Sequence, residues 1–191
     1  YMQFLEDVRQ GQRILIDDGQ VALRVLRIES DRALCRVEVG GELRSRKGIN
    51  LPDSDLSTPS ITDYDWRCID WAVEQELDYL AMSFVRRADD VAQLKGHLRK
   101  VGSPIHVVSK IETPQAIRDL DAIVRHSDAV LVARGDLGVE MPFEEVPILQ
   151  KRMTHLCRDL GRPVIVATQM LQSMIHSATA TRAEVSDVAN A

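Results

Sequence analysis

From residue 61 onward the chain alternates short apolar runs with amphipathic segments, and this limits its possible folds more than any other feature of its 191 residues. The apolar runs are Leu77–Phe84, Ile105–Ser109, Ala129–Ala133 and Val164–Gln169. Each has the length of a strand, and the last three are dominated by Val, Ile, Leu and Ala, as in sheets buried on both faces. Asp89–Lys100, Thr113–Arg125 and Glu144–Leu160 stand between them, with apolar residues at helical spacing. Thr62 is placed to cap an earlier helix with Ile69, Trp71, Ala72 and Val73 on its apolar side, and Thr181 or Arg182 opens a last one. Gly102-Ser103-Pro104 and Gly161-Arg162-Pro163 are stop signals ahead of strands, and Pro114 suits a first helical turn. Strands alternating with helices make a parallel sheet, either doubly wound or part of a (β/α)8 barrel. A whole barrel takes about 250 residues, so four strands are roughly half of one.

The first quarter reads differently. Arg13–Ile16 runs into the hairpin signal Asp17-Asp18-Gly19-Gln20, Val21–Val25 returns, and Ala33–Val39 alternates with period two. A basic turn, Ser45–Pro52, follows, and the polar linker Asp53–Ser60 separates the two regimes. The expected organisation is therefore an all-β module at 1–54 and an α/β domain at 55–191. A net charge of -5 without a Lys/Arg cluster argues against a nucleic-acid surface. No apolar run reaches the ~18–20 residues of a membrane span, and no signal peptide is expected ahead of Tyr1. Cys35, Cys68 and Cys157 are odd in number and far apart, which predicts reduced thiols and a cytoplasmic protein rather than a zinc site or disulfides. The histidines form no HxxxH or HxH pair. The chain starts without methionine and stops inside a helical pattern at Asp187–Ala191, so a piece of something longer is expected.

The residues suited to chemistry fall just after the strands. Lys110 and Glu112 follow Ile105–Ser109, two positions apart and so on one side of the chain. Arg134-Gly135-Asp136-Leu137-Gly138 reads as a charged loop after Ala133, with glycines where backbone must approach something closely. Ser83 and Arg86 follow one strand, Thr168 and Gln169 another. In a parallel sheet these ends meet at one rim, where α/β folds place their chemistry. Two carboxylates from adjacent strands suit Mg²⁺ completed by substrate oxygens and waters, and a lysine beside them suits an anion or a proton transfer. The plainer alternative is a set of structural salt bridges among Lys110, Glu112, Arg134 and Asp136. Arg46-Lys47-Gly48 alone is a solvated basic turn, and Trp66, Trp71, Met170 and Met174 read as core. No Walker or Rossmann phosphate loop is present.

Together the motifs resemble the pyruvate kinase family. The resemblance rests on Ser109-Lys110-Ile111-Glu112, Ala133–Gly138, Ala167–Met174 and Thr181–Ala191, with Asp17-Asp18-Gly19 and Arg46–Pro52 ahead of them in the family's order. It implies that the β module is the latter part of a lid domain, and that the rest is the middle of a (β/α)8 barrel. By resemblance, Lys110 stabilises the phosphoryl group in transfer and the developing enolate. Glu112 and Asp136 bind the divalent ion, Mg²⁺ or Mn²⁺. The backbone at Gly135-Asp136 and the Thr168 hydroxyl contact phosphoenolpyruvate, a proton route runs through Thr168, and Lys47 faces the phosphates of ADP or ATP.

Some of the family's pattern is absent. The first three barrel strands are missing, with the residues of the K⁺ and phosphate site, as are the eighth strand and the carboxy-terminal domain. K⁺ is therefore expected in the complete enzyme with ligands outside this chain. The isolated chain is expected to be inactive, and its open edges predict pairing with another copy, as a homo-oligomer. Two rival readings are a Mg²⁺-dependent lyase of 2-oxo acids on a similar barrel, and a non-catalytic assembly piece.

Overall fold

The computed structural model describes residues 3–191; Tyr1 and Met2, where the β module is expected to begin, lie outside the described residues. Two compact units emerge. The first runs to Pro59 and takes in Val139–Met141; the second comprises Ser60–Gly138 and Pro142–Ala191.

In the first unit a short helix α1 (Phe4–Asp7) precedes β1 (Arg13–Ile16), β2 (Val21–Ile28), β3 (Ala33–Val39) and β4 (Ile49–Asn50). They form an antiparallel sheet in the order β3-β2-β1-β4. The β1–β2 turn places Asp17 and Asp18 at φ 55° and 54°, the left-handed geometry that tight hairpins demand and aspartate tolerates. Val8, Ile14, Val25 and Leu51 form a small core. Strand β2 runs past its apolar alternation to Ile28, with an irregularity between Val25 and Arg27, because β3 pairs with it throughout.

The second unit alternates helix and strand: α2 (Asp63–Glu74), β5 (Tyr79–Met82), α3 (Ala88–Lys100), β6 (His106–Ile111), α4 (Pro114–Arg118), α5 (Leu120–His126), β7 (Ala129–Ala133), α6 (Arg134–Glu140, whose last two residues cluster with the first unit), α7 (Val146–Asp159), β8 (Val164–Ala167) and α8 (Arg182–Asn190). The strands form one parallel sheet in the order β5-β6-β7-β8. Thr62 caps α2 as expected: its hydroxyl accepts from the Asp65 amide at 3.2 Å, and its own amide donates to the Asp65 carboxylate at 2.8 Å.

Helices α3, α5 and α7 pack along one face of this sheet. Val107, Ile111, Val130 and Val132 are fully buried beneath them, each contributing about 1.5–3 kcal/mol relative to exposure. The opposite face is more open, although Val108 and Ala129 on it are buried. Tyr79 at 60% and Ile165 at 47% exposure lie on it, Tyr79 in register with His106 and Ile165 with Leu131 and Lys110.

The structure corrects several sequence expectations. Arg134–Gly138 is not a loop but the start of helix α6, because Leu137 is fully buried and draws the segment into a turn. The single helix expected over 113–125 breaks at Asp119, whose carboxylate accepts from the Ala88 amide at 2.7 Å and serves α3 instead. Strand β6 extends through Lys110 to Ile111, whereas β8 ends at Ala167, since Thr168 and Gln169 turn to φ 71° and 57°. Trp71 is 57% exposed rather than core: the buried stripe of α2 is Ile69 and Ala72, and Trp71 stands about 200° round the helix from Ile69. Met174 is also exposed, on the 3₁₀ turn Gln172–Ile175.

Candidate active site

Lys110 is the penultimate residue of β6, and Glu112 follows that strand. The two-residue spacing brings the Lys110 ammonium onto Glu112 Oε1 in a short ion pair. Lys110 Nζ also donates to Ser83 Oγ at 3.0 Å, which ties β6 to the exit of β5. Glu112 is 1% exposed, and its second oxygen accepts from the Phe84 amide at 2.8 Å. That bond holds Phe84 at φ 52°, so the buried carboxylate shapes the neighbouring strand end as well as pairing with the lysine. A buried carboxylate needs such partners, because desolvation otherwise outweighs the Coulombic gain.

The next strand end carries Gly135 and Asp136 in the first turn of α6. Leu137 anchors that turn from beneath, and Asp136 faces solvent with no hydrogen bond or ion pair among the described residues. Gly138 packs closely, since a β-carbon there would stand 3.0 Å from the Phe143 ring. A β-carbon added at Gly135 would stand 3.6 Å from the Thr168 hydroxyl, so those two positions face each other across the exits of β7 and β8. A positive φ is an outlier for β-branched Thr168, with a cost on the order of 1–3 kcal/mol. Phe84 and Thr168–Gln169 share the left-handed region, so backbone strain gathers at these strand ends.

Strand pairing therefore sets Lys110 and Glu112, then Gly135 and Asp136, then Thr168, at the carboxyl ends of three neighbouring strands. Ser83 belongs with them, whereas Arg86 turns its guanidinium to Ser60 Oγ at 2.8 Å. Gln169 lines a cavity of about 520 Å³ with Arg134, Gln150, Lys151 and Asp187. Lys47 belongs to the first unit, where its ammonium lies 2.8 Å from Asp17 Oδ1. Arg134 contacts neither Lys110 nor Glu112: it pairs with Asp187 of α8 at 2.6 Å and donates to the carbonyls of Ala167 and Thr168.

Sequence reading missed the role of Asp187, although Glu184 and Asp187 stand three residues apart on one side of α8. Glu184 accepts from the hydroxyl and amide of Ser173 and from the amide of Thr181, which pulls its pKa down to about 2. Among the described residues no three His, Cys, Asp or Glu side chains form a metal cage. Glu112 and the unpartnered Asp136 are hard oxygen donors at adjacent strand ends. They fit a Mg²⁺ or Mn²⁺ ion that draws its other ligands from substrate and water.

The family profile described as "Pyruvate kinase, barrel domain" matches residues 1–191. The plastidial pyruvate kinase 2 of Arabidopsis thaliana is 47% identical over 189 residues, covering 99% of this chain and 33% of that protein. The pyruvate kinase of Thermotoga maritima is 47% identical over 186 residues, covering 97% of this chain and 40% of that protein. That of Mycobacterium tuberculosis is 46% identical over 191 residues, covering 100% and 40%. The chain thus spans two fifths or less of the length of these relatives. A match along the whole chain, over an α/β fold with a parallel sheet and Lys110, Glu112 and Ser83 gathered at its rim, places the chain in the pyruvate kinase family.

Proposed function

We propose that the complete enzyme containing this chain transfers the phosphoryl group of phosphoenolpyruvate to ADP, giving pyruvate and ATP. The observation that carries this reading is the buried Glu112, held between the Lys110 ammonium and the Phe84 amide at the mouth of the sheet. Phosphoryl transfer needs mainly fixed positive charge around spread negative charge, and Lys110, fixed by Glu112 and Ser83, supplies it. The P–O bond to the enol oxygen breaks as the terminal phosphate oxygen of ADP takes the phosphoryl group. The electron pair left on the enol oxygen re-forms the carbonyl while the methylene carbon takes a proton to become methyl. Thr168, facing Gly135, is the assigned hydroxyl on that proton route, and the Gly135-Asp136 backbone holds the substrate. Glu112 and Asp136 would hold Mg²⁺ or Mn²⁺, which supplies further positive charge to the substrate oxygens when bound.

The same reading extends to the fold. A parallel sheet with α3, α5 and α7 along one face, and with Tyr79 and Ile165 exposed on the other, supports part of a (β/α)8 barrel over 55–191, the more open face being its interior. Residues 1–54 then form part of the lid, and Lys47 in its basic turn meets the nucleotide phosphates. K⁺, with ligands from other segments, and a homo-oligomeric state complete the assignment. No described helix is long and apolar enough to cross a membrane. The three free thiols support a reducing compartment such as the cytoplasm.

The test is ATP formation by the complete enzyme and its Lys110→Met variant, with a control lacking ADP. Turnover is expected to fall on the order of 10³-fold or more, with phosphoenolpyruvate binding largely kept. Near-normal turnover in the variant would contradict the lysine's role, and wild-type turnover without ADP would point to a lyase.

A further inference from the structure

We infer that Arg134 is a positioning residue that holds the Thr168 hydroxyl in place by fixing the backbone on either side of it. The inference rests on the assignment of Thr168 above. Arg134 Nε donates to the carbonyl of Ala167 at 3.3 Å, and Nη2 donates to the carbonyl of Thr168. A peptide group is planar, so fixing its carbonyl fixes the whole plane. The peptide planes carrying the Ala167 and Thr168 carbonyls are the two that flank the Thr168 α-carbon. Pinning both sets φ and ψ of Thr168, which stands at φ 71° where a β-branched residue does not rest unaided.

The arginine is itself immobilised. It is 8% exposed, and Nη1 donates to Asp187 Oδ1 at 2.6 Å, so its charge is matched and its plane fixed. One turn earlier on α8, Glu184 takes the amide and hydroxyl of Ser173 at 2.7 Å and 2.5 Å. Helix α8 therefore holds the connection leaving β8 at two places: its start through Arg134, and its middle directly at Ser173. A lysine could reach one carbonyl but not two carbonyls and a carboxylate at once, because it lacks the planar fork.

The experiment is a double-mutant cycle in the complete enzyme, with Arg134→Met and Arg134→Lys each made in the wild-type and Thr168→Val backgrounds. We expect Arg134→Met to lower kcat by on the order of 10–100-fold, as misplacement of a reacting group by about 1 Å does. KM for phosphoenolpyruvate and ADP should change little, and Arg134→Lys should recover part of the loss. In the Thr168→Val background the same change should lower kcat by less than about threefold, because the group it positions is already gone. Equal factors in both backgrounds, or an Arg134→Met enzyme with unchanged kcat, would overturn the inference. If Arg134→Met does not fold, Asp187→Asn, which loosens the arginine without removing it, takes its place with a smaller expected loss and the same non-additivity. A Thr168→Val enzyme with wild-type turnover would remove both the inference and the threonine's assigned role, whereas multiplicative losses would remove the inference alone.

Discussion

Glu112 is almost completely buried and uses both carboxylate oxygens, one on Lys110 and one on the Phe84 amide. Replacing it by glutamine puts an amide NH₂ against one of two donors, so a buried donor is left without an acceptor. Glu112→Gln is therefore expected to destabilise the protein by about 1–3 kcal/mol, read as a lower urea midpoint, whereas unchanged stability would show that the site relaxes around the loss. The Lys110–Glu112 contact was legible in the sequence, because residues two apart on a strand share a side. The Phe84 amide was not, since it comes from 28 residues away and no local pattern announces it. Asp136 is the opposite case, an acid at the same rim with no partner among the described residues, so that its whole carboxylate is open to a ligand.

The elements divide along the same line. The order of helices and strands from residue 61 followed from local periodicity, which the strands and α2, α3, α7 and α8 bear out within a few residues at their ends. Helix α6 escaped that reading, since two glycines and two charges within five residues look like a loop and only the burial of Leu137 makes them helical. The break at Asp119 escaped it too, being dictated by the distant amide of Ala88. Helix α8 shows a local signal with a non-local consequence: Thr181 and Glu184 form its capping box, and the same glutamate holds Ser173. With the pKa of Glu184 lowered from 4.5 to about 2, its contribution to stability is fully present above about pH 4.5 and lost as pH falls towards 2. Glu184→Gln should therefore be less stable than wild type at pH 6, and the gap should close by pH 2–3 in denaturation curves taken across that range. A gap of constant size would show that the carboxylate's charge plays no part in the grip.

At the scale of the whole molecule, the second unit presents a parallel sheet whose edge strands, β5 and β8, have no further partners among the described residues. On the proposed reading it is part of a barrel, in a chain covering 33–40% of the length of its relatives. What such a sheet contributes to chemistry is the convergence of its strand ends, and the central claim is that Glu112 and Asp136 hold one divalent ion there. The most direct measurement is Mn²⁺ binding to the complete enzyme by electron paramagnetic resonance, in the presence of a non-reacting phosphoenolpyruvate analogue. Loss of a mere supporting contact around a metal weakens binding by about 10–100-fold, so removing a ligand should do at least as much. We expect Asp136→Asn and Glu112→Gln each to weaken Mn²⁺ binding by about tenfold or more, with Lys47→Met leaving it unchanged in the absence of nucleotide. Wild-type Mn²⁺ affinity in both folded carboxylate variants would contradict the claim.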